Sequence, residues 1–202
     1  IVRRKDATNL TFGIFMAVER ELNEEELDAM HYLNHILTGT FYSRIFGAAR
    51  KKGLAYNIEA YAAAGPKGTS SCWDILGQVN HESANDLFDI ITSELKNVLD
   101  GKVRQDEVDA AKSFALGRYQ MGAQSVSQIR AFYTRRYLDD GIIKDYEKVP
   151  DMIKKVTLER MVETARSFMK EDKWVLAAVS SGDRQELADL NEKIEPLFKT
   201  YQ

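Results

Sequence analysis

The first part of the chain alternates between apolar residues and smaller or polar ones. From Thr8 to Val18, every second residue is apolar and large, namely Leu10, Phe12, Ile14, Met16 and Val18. A period of two is typical of a β-strand that places one face against a core. This pattern predicts a strand over residues 8–18.

A helix start follows the first strand. Asn23 stands three residues before Glu26, which is the spacing of a capping box, and Glu24 and Glu25 place further negative charge in the first turn. Leucine and methionine then recur at helical spacing, at Leu27, Met30, Leu33 and Leu37. We therefore predict a helix that begins after Asn23.

A hairpin is predicted next. The alternation from Leu54 to Ala62 leads into Gly65-Pro66-Lys67-Gly68, and an apolar run from Cys72 to Val79 follows it. Glycine and proline favour a turn between two strands. Beyond the hairpin, Ser83 and Asp86 have the spacing of a second capping box, and Gly101 ends the helix that this pair predicts.

The remainder of the chain reads as helical with one late strand. Helical spacing extends from Gln105 to about Met169, with breaks near residues 124, 141 and 156. The apolar run Lys173–Ser180 predicts a buried strand, and Asp183–Ile194 predicts a closing helix. This order predicts an α+β fold, with a mostly antiparallel sheet of about four or more strands and helices on one face.

Composition and charge narrow the function classes. The 202 residues carry a net charge of -3, which favours neither nucleic acid nor an anionic membrane as partner, and no apolar run is long enough for a membrane span. Cys72 is the sole cysteine, so no intrachain disulfide can form, and cysteine usage does not indicate the cellular compartment. We expect residues 1–202 to be one domain, because no internal repeat, low-complexity tract or linker is evident. We also expect the chain to be a fragment or a processed product, because Ile1 stands where a methionine is usual.

Two of the three histidines form a candidate metal pair. His31 and His35 are four residues apart on the first predicted helix, so both could reach one ion, with Glu107 as a possible third ligand. In the inverted zinc motif H-x-x-E-H, the glutamate takes a proton from the metal-bound water. Asn34 occupies that position here and cannot act as a base, so we expect no metal site in this chain and keep His31, His35 and Glu107 as the alternative.

The segment from Leu33 to Tyr61 carries a family resemblance. It reads LNHILTGTFYSRIFGAARKKGLAYNIEAY, with further echoes at Asp106–Lys112 and Lys155–Glu159. It resembles the C-terminal, metal-free type of domain in the insulinase, pitrilysin and mitochondrial processing peptidase family, which reads LN-x-x-L-G-G-G-x-S-S-R-L-F, then Arg, then G-L-A-Y. In that pattern the arginine lies four residues before the glycine, whereas Arg50 lies three before Gly53 and Ala49 takes the fourth place.

The resemblance implies a division of labour between two domains. The zinc and its H-x-x-E-H motif would lie on a homologous companion domain or subunit, and this chain would bind no cofactor and help to grip a peptide or unfolded protein inside a shared chamber. Arg50 and Tyr56 are the candidates for the arginine and tyrosine that hold the substrate backbone in such domains. The alternative is a non-catalytic assembly protein of the same fold, similar to the core proteins of respiratory complexes.

Overall fold

A computed structural model describes residues 2–4, 6–65, 69–141, 143, 145–182 and 184–201. Within them, the backbone alone is described at 2, 3, 56, 135, 136, 139, 140 and 184. Their strands form a five-stranded sheet in the spatial order β1-β5-β2-β4-β3. The strands are β1 (Val2–Arg3), β2 (Asn9–Val18), β3 (Ala55–Ala63), β4 (Ser71–Asn80) and β5 (Trp174–Ser180).

The sheet is antiparallel apart from one edge. Strand β2 pairs antiparallel with both β4 and β5, and β3 pairs antiparallel with β4, whereas the two-residue β1 pairs parallel with β5. The predicted hairpin is confirmed by the β3–β4 pairing, although residues 66–68 of its turn lie outside the described part. The α+β prediction is also confirmed.

The helices in the described part of the chain are α1 (Glu24–Thr38), α2 (Arg44–Lys51), α3 (Ala84–Leu99), α4 (Gln105–Met121), α5 (Val126–Asp140), α6 (Val149–Lys155), α7 (Leu158–Lys170) and α8 (Arg184–Thr200). The capping box predicted at Asn23 and Glu26 is present. The breaks predicted inside the long helical segment fall between α4, α5, α6 and α7. Gly141, at the second break, has a positive φ of 70°.

Three sequence predictions need correction. Ser83 makes no side-chain cap, because it ends a short 3-10 turn with helical dihedrals before α3. The closing helix extends to Thr200 rather than to Ile194. Strand β5 is not buried on both faces, since Val175 is 56% exposed and Val179 is 37% exposed. Strand β1 and helix α2 had no separate prediction.

Two hydrogen bonds attach α1 to the sheet, one buried and one partly buried. The amide oxygen of Asn34 accepts a hydrogen bond of 2.9 Å from the indole Nε1 of Trp73, a fully buried residue of β4. The hydroxyl of Thr38 accepts one of 3.0 Å from the Ala60 amide in β3. Because buried polar groups need partners, these contacts fix the helix against one face of the sheet.

The opposite face of the sheet, which we call the open face, has no helix over it among the described elements. Alternate residues point there, and several apolar ones are exposed: Phe15 on β2, Tyr61 on β3, Leu76 on β4, and Val175 and Val179 on β5. Their neighbours on the other side, such as Ile14, Trp73 and Ile75, are completely buried. The sheet therefore has one core face and one solvent face.

Candidate substrate-binding cleft

The end of α2 is shaped by a glycine. Gly53 has a φ of 69°, in the left-handed region that favours glycine. Its amide donates to the Arg50 carbonyl, and the Leu54 amide donates to the Ala49 carbonyl. This pair of bonds is a Schellman motif, which ends the helix and turns the chain directly into β3.

Arg50 lies on the exposed side of this turn. Its guanidinium lies 5.9 Å from the centre of the Phe41 ring, a cation–π distance. Ala49, which takes the place of the family's arginine by register, is fully buried in the core. A charged side chain at position 49 would face that core, so the shift by one residue keeps the cation at the surface.

A cleft of about 410 Å³ adjoins Arg50. Gly53, Leu54 and Ala55 line one side of it, and Asn9, Gln78, Val79 and Asn80 line the other, at one end of strands β2, β3 and β4. The lining combines a cation with side-chain amides and apolar groups. Such groups can donate to and accept from a peptide backbone.

Tyr56 lies at the start of β3, where the pairing with β4 shifts register between Ala55 and Ile58. In the sequence it follows Leu54 and Ala55, which both line the cleft. Its side chain lies outside the described part of the structure. The structure therefore brings the Tyr56 backbone close to the cleft beside Arg50 and leaves the role of the phenol as a prediction.

Arg44 forms an ion-pair cluster that sequence reasoning missed. Its guanidinium donates two hydrogen bonds to the Glu107 carboxylate, of 2.8 and 2.6 Å, and one to the Lys102 carbonyl, and a further contact of 3.4 Å joins it to Glu94. Burial disfavours charge on Glu107, but hydrogen bonds from Arg44 and the Arg104 amide outweigh it and lower its pKa. The partners are 50 to 63 residues away in sequence, so no local pattern signals them.

The two histidines of α1 have different environments. His31 is exposed, whereas the His35 ring is half-buried and stacks on Phe114 of α4 with 4.2 Å between centres. Glu107, the proposed third ligand, is the partner of Arg44. Among the residues with described side chains, no group of three or more histidine, cysteine, aspartate or glutamate residues could hold a metal ion.

His35 predicts a pH dependence of stability. Burial, together with the nearby Arg118, lowers its pKa below the usual value of 6.5. The unfolded chain therefore binds a proton that the folded chain disfavours, so the free energy of unfolding should decrease as pH falls below about 6.5. Urea denaturation of the wild type and of His35→Gln between pH 5 and 7.5 should show a smaller decrease of the free energy of unfolding in the variant.

His31→Gln, on the same helix, is the matched control. The same pH dependence of the free energy of unfolding in His35→Gln as in the wild type would contradict the prediction.

No helix in the described part of the chain is long and apolar enough to cross a membrane. This agrees with the sequence, which has no apolar run of that length.

The family model described as "Peptidase M16 inactive domain" matches residues 1–114. No curated protein sequence matches significantly. Many solved structures share the fold. In three of them the chain covers 41–48% of the other chain, so it spans about half of their length.

The first of the three is a putative M16-like peptidase from Alicyclobacillus acidocaldarius, with a TM-score of 0.72, 20% identity and 86% of this chain covered. The second is a peptidase M16 inactive domain from Pseudomonas fluorescens, with a TM-score of 0.69, 19% identity and 90% covered. The third is a chain of complex III from Candida albicans, with a TM-score of 0.76, 11% identity and 97% covered. At these identities the structures support the fold alone.

Proposed function

The chain belongs to the peptidase M16 inactive-domain family, and from this premise we propose that it is the substrate-binding, non-catalytic half of a zinc metalloendopeptidase. Inactive domains of this family pair with companion domains or subunits. The companion would carry the H-x-x-E-H motif and the zinc, and the two halves would enclose the peptide. The observation that carries the proposal is the cleft at one end of the sheet, which Arg50, Gly53, Leu54 and Ala55 help to line.

The residues of this chain do not suit a zinc site of their own. Asn34 stands in the position of the catalytic base, and its amide oxygen is occupied by the Trp73 indole. Glu107 is held by two hydrogen bonds from Arg44, which a metal ion would have to displace. On this proposal the chain contributes binding and orientation, and the companion would supply the metal-activated water.

The role of the cleft follows from hydrogen-bond chemistry. A guanidinium donates to peptide carbonyl oxygens and is always charged, so it also stabilises an oxygen that gains negative charge in the transition state. A tyrosine hydroxyl can donate in the same way. Arg50 and Tyr56 would thus hold one stretch of substrate backbone while the companion cleaves it.

A second candidate function is a structural subunit without proteolysis. The likeness to a chain of complex III favours it, because that assembly contains the same fold. In this case the cleft would be part of a scaffold, and no companion would carry H-x-x-E-H.

Cleavage kinetics test the first proposal. With the companion present, Arg50→Ala and Tyr56→Phe should each lower kcat/KM by about 10- to 100-fold. A hydrogen bond to a charged group, or to an oxygen that gains charge in the transition state, contributes about 1.5–3 kcal/mol. Lys51→Ala is the matched control, since it removes the neighbouring exposed cation of α2. Unchanged kinetics in both variants would contradict a grip at this cleft. A companion without H-x-x-E-H, together with no cleavage, would favour the structural subunit.

A further inference from the structure

A histidine next to the cleft links three separate parts of the chain. His81 directly follows β4, and its Nδ1 lies 3.1 Å from the carboxylate of Glu186 on α8. Its Nε2 lies 3.1 Å from the hydroxyl of Ser181, just beyond β5. That hydroxyl donates a hydrogen bond of 2.7 Å to the carbonyl of Ala7, in the segment before β2. Together with Ser180, whose hydroxyl is 3.3 Å from Nδ1, these side chains form a partly buried group that we call the His81 cluster.

Serine, histidine and glutamate at these distances resemble a catalytic triad, but the direction of the hydrogen bonds is wrong for one. The Ser181 hydroxyl has a single hydrogen, which the Ala7 carbonyl accepts, so Nε2 of His81 donates to Ser181. A nucleophilic serine would instead give its proton to the imidazole. Nδ1 can donate to the Glu186 carboxylate when the ring is charged and accept from the Ser180 hydroxyl when it is neutral. The ring thus has a partner at each nitrogen in either charge state, which suits a structural tie.

The cluster lies beside one wall of the cleft. Asn9 and Asn80 line that wall and are opposite each other in the last pair of the β2–β4 ladder. Asn80 directly precedes His81. Asn9 is two residues after Ala7, the acceptor of the Ser181 hydroxyl. Strand ends open more easily than strand centres unless other contacts hold them, so the cluster ties both sides of the wall at the point where the ladder stops.

A glycine lets Glu186 reach the cluster. A Cβ at Gly182 would overlap with Oε2 of Glu186, so a side chain fits there only if the carboxylate moves away. The φ of Gly182 is outside the left-handed region, so an alanine there meets no backbone strain. Gly182→Ala should thus displace the Glu186 carboxylate from His81 while His81 itself is unchanged.

We propose that His81 is a positioning residue, which holds Asn9 and Asn80 where their side-chain amides meet the backbone of a bound peptide. This inference rests on the proposed function and extends it to the wall opposite Gly53 and Leu54. A carboxamide both donates and accepts, so each asparagine can pair with a peptide N–H and a peptide C=O. Such bonds form with the substrate and persist in the transition state, so they contribute to substrate binding and not to the chemical step.

Steady-state kinetics with the companion present test the positioning role. His81→Ala should raise KM for an internally quenched fluorogenic peptide about 10-fold and change kcat by less than about two-fold, because it loosens groups that bind substrate and transition state alike. His81→Gln restores a donor near the position of Nε2 and should recover most of the loss. Gly182→Ala should raise KM as well. Glu82→Ala, at the exposed neighbour in the same 3-10 turn, is the matched control and should behave as the wild type does.

Amide hydrogen exchange of the purified chain tests the tie without a companion. In His81→Ala, the amides next to Asn9 and Asn80 should exchange about 10-fold faster, while the Ile14 amide at the centre of β2 keeps the rate of the wild type. Unchanged exchange at Asn9 and Asn80 would overturn the inference. An equal increase at Ile14 would show a global loss of stability and would also overturn it.

Two kinetic outcomes would contradict the positioning role. One is an unchanged KM in His81→Ala, and the other is a lower kcat with an unchanged KM, which would indicate a role in the chemical step. Failure of the proposed function is distinguishable, because it shows as unchanged kcat/KM in Arg50→Ala and Tyr56→Phe or as no cleavage at all. In that case hydrogen exchange still decides whether His81 holds the wall.

Discussion

Replacing Arg44 by alanine should lower the free energy of unfolding by about 3 kcal/mol, the cost of removing one partner from a buried ion pair. The side chains of Arg44 and Glu107 are only 12% and 16% exposed, so loss of the guanidinium leaves a carboxylate in a poorly solvated place. The Lys102 carbonyl loses a donor as well. Urea denaturation at pH 7 measures the change, which is a substantial fraction of the stability of a typical domain.

An exposed ion pair of similar composition provides the control. Arg104 and Asp106 are 68% and 70% exposed, so Arg104→Ala should change stability by less than about 1 kcal/mol. The lowered pKa of Glu107 means that its contribution is present at neutral pH and is lost as pH falls through the folded-state pKa. The Arg44→Ala variant should therefore differ less from the wild type in acid. A loss for Arg44→Ala no larger than that for Arg104→Ala would contradict a structural role.

Replacing Asn34 by glutamate restores the sequence H-x-x-E-H at residues 31–35. We expect this change to destabilise the fold and not to create a zinc site. Asn34→Glu places a longer, charged side chain in a position that is 7% exposed and moves the acceptor oxygen away from its place beside the Trp73 indole. We expect a loss of about 3 kcal/mol, from the buried charge and the disturbed hydrogen bond of the indole. Zinc binding should not follow, because His35 is stacked on Phe114 and Glu107 is paired with Arg44.

Metal analysis and urea denaturation of the same preparation test this expectation. Asn34→Leu is the matched variant, because it removes the acceptor without adding charge and should cost about 1–3 kcal/mol. The difference between the two variants isolates the buried charge. Stoichiometric zinc in Asn34→Glu, lost again on His35→Ala, would show that the helix retains a latent metal site.

Much of the fold was predictable because local patterns encode it. The alternation in β2, the capping box at Asn23 and the stop at Gly101 each depend on residues within a few positions of one another. The family resemblance drew attention to the region where the cleft lies, because Arg50 and Gly53 belong to the matching segment and also line the cleft. Such signals need no knowledge of tertiary contacts.

The errors came from features that depend on distant partners. Strand β5 was predicted to be buried because its sequence is apolar on both faces, but periodicity cannot distinguish a face that meets helices from one that meets solvent or a ligand. Likewise, Arg44 meets Glu107 across 63 residues, and the pairing of Asn34 with Trp73 spans 39. Only the folded topology brings these groups together.

The bond between Thr38 and Ala60 has a consequence for solubility. Strand β3 is an outer strand of the sheet, and outer strands can recruit further strands from other molecules, which leads to aggregation. The Ala60 amide already donates to the Thr38 hydroxyl. It is therefore not available to a strand of another molecule that would pair with the middle of β3. Helix α1 thus protects this border of the sheet, and Thr38→Val would keep the helix while returning a free amide to the edge.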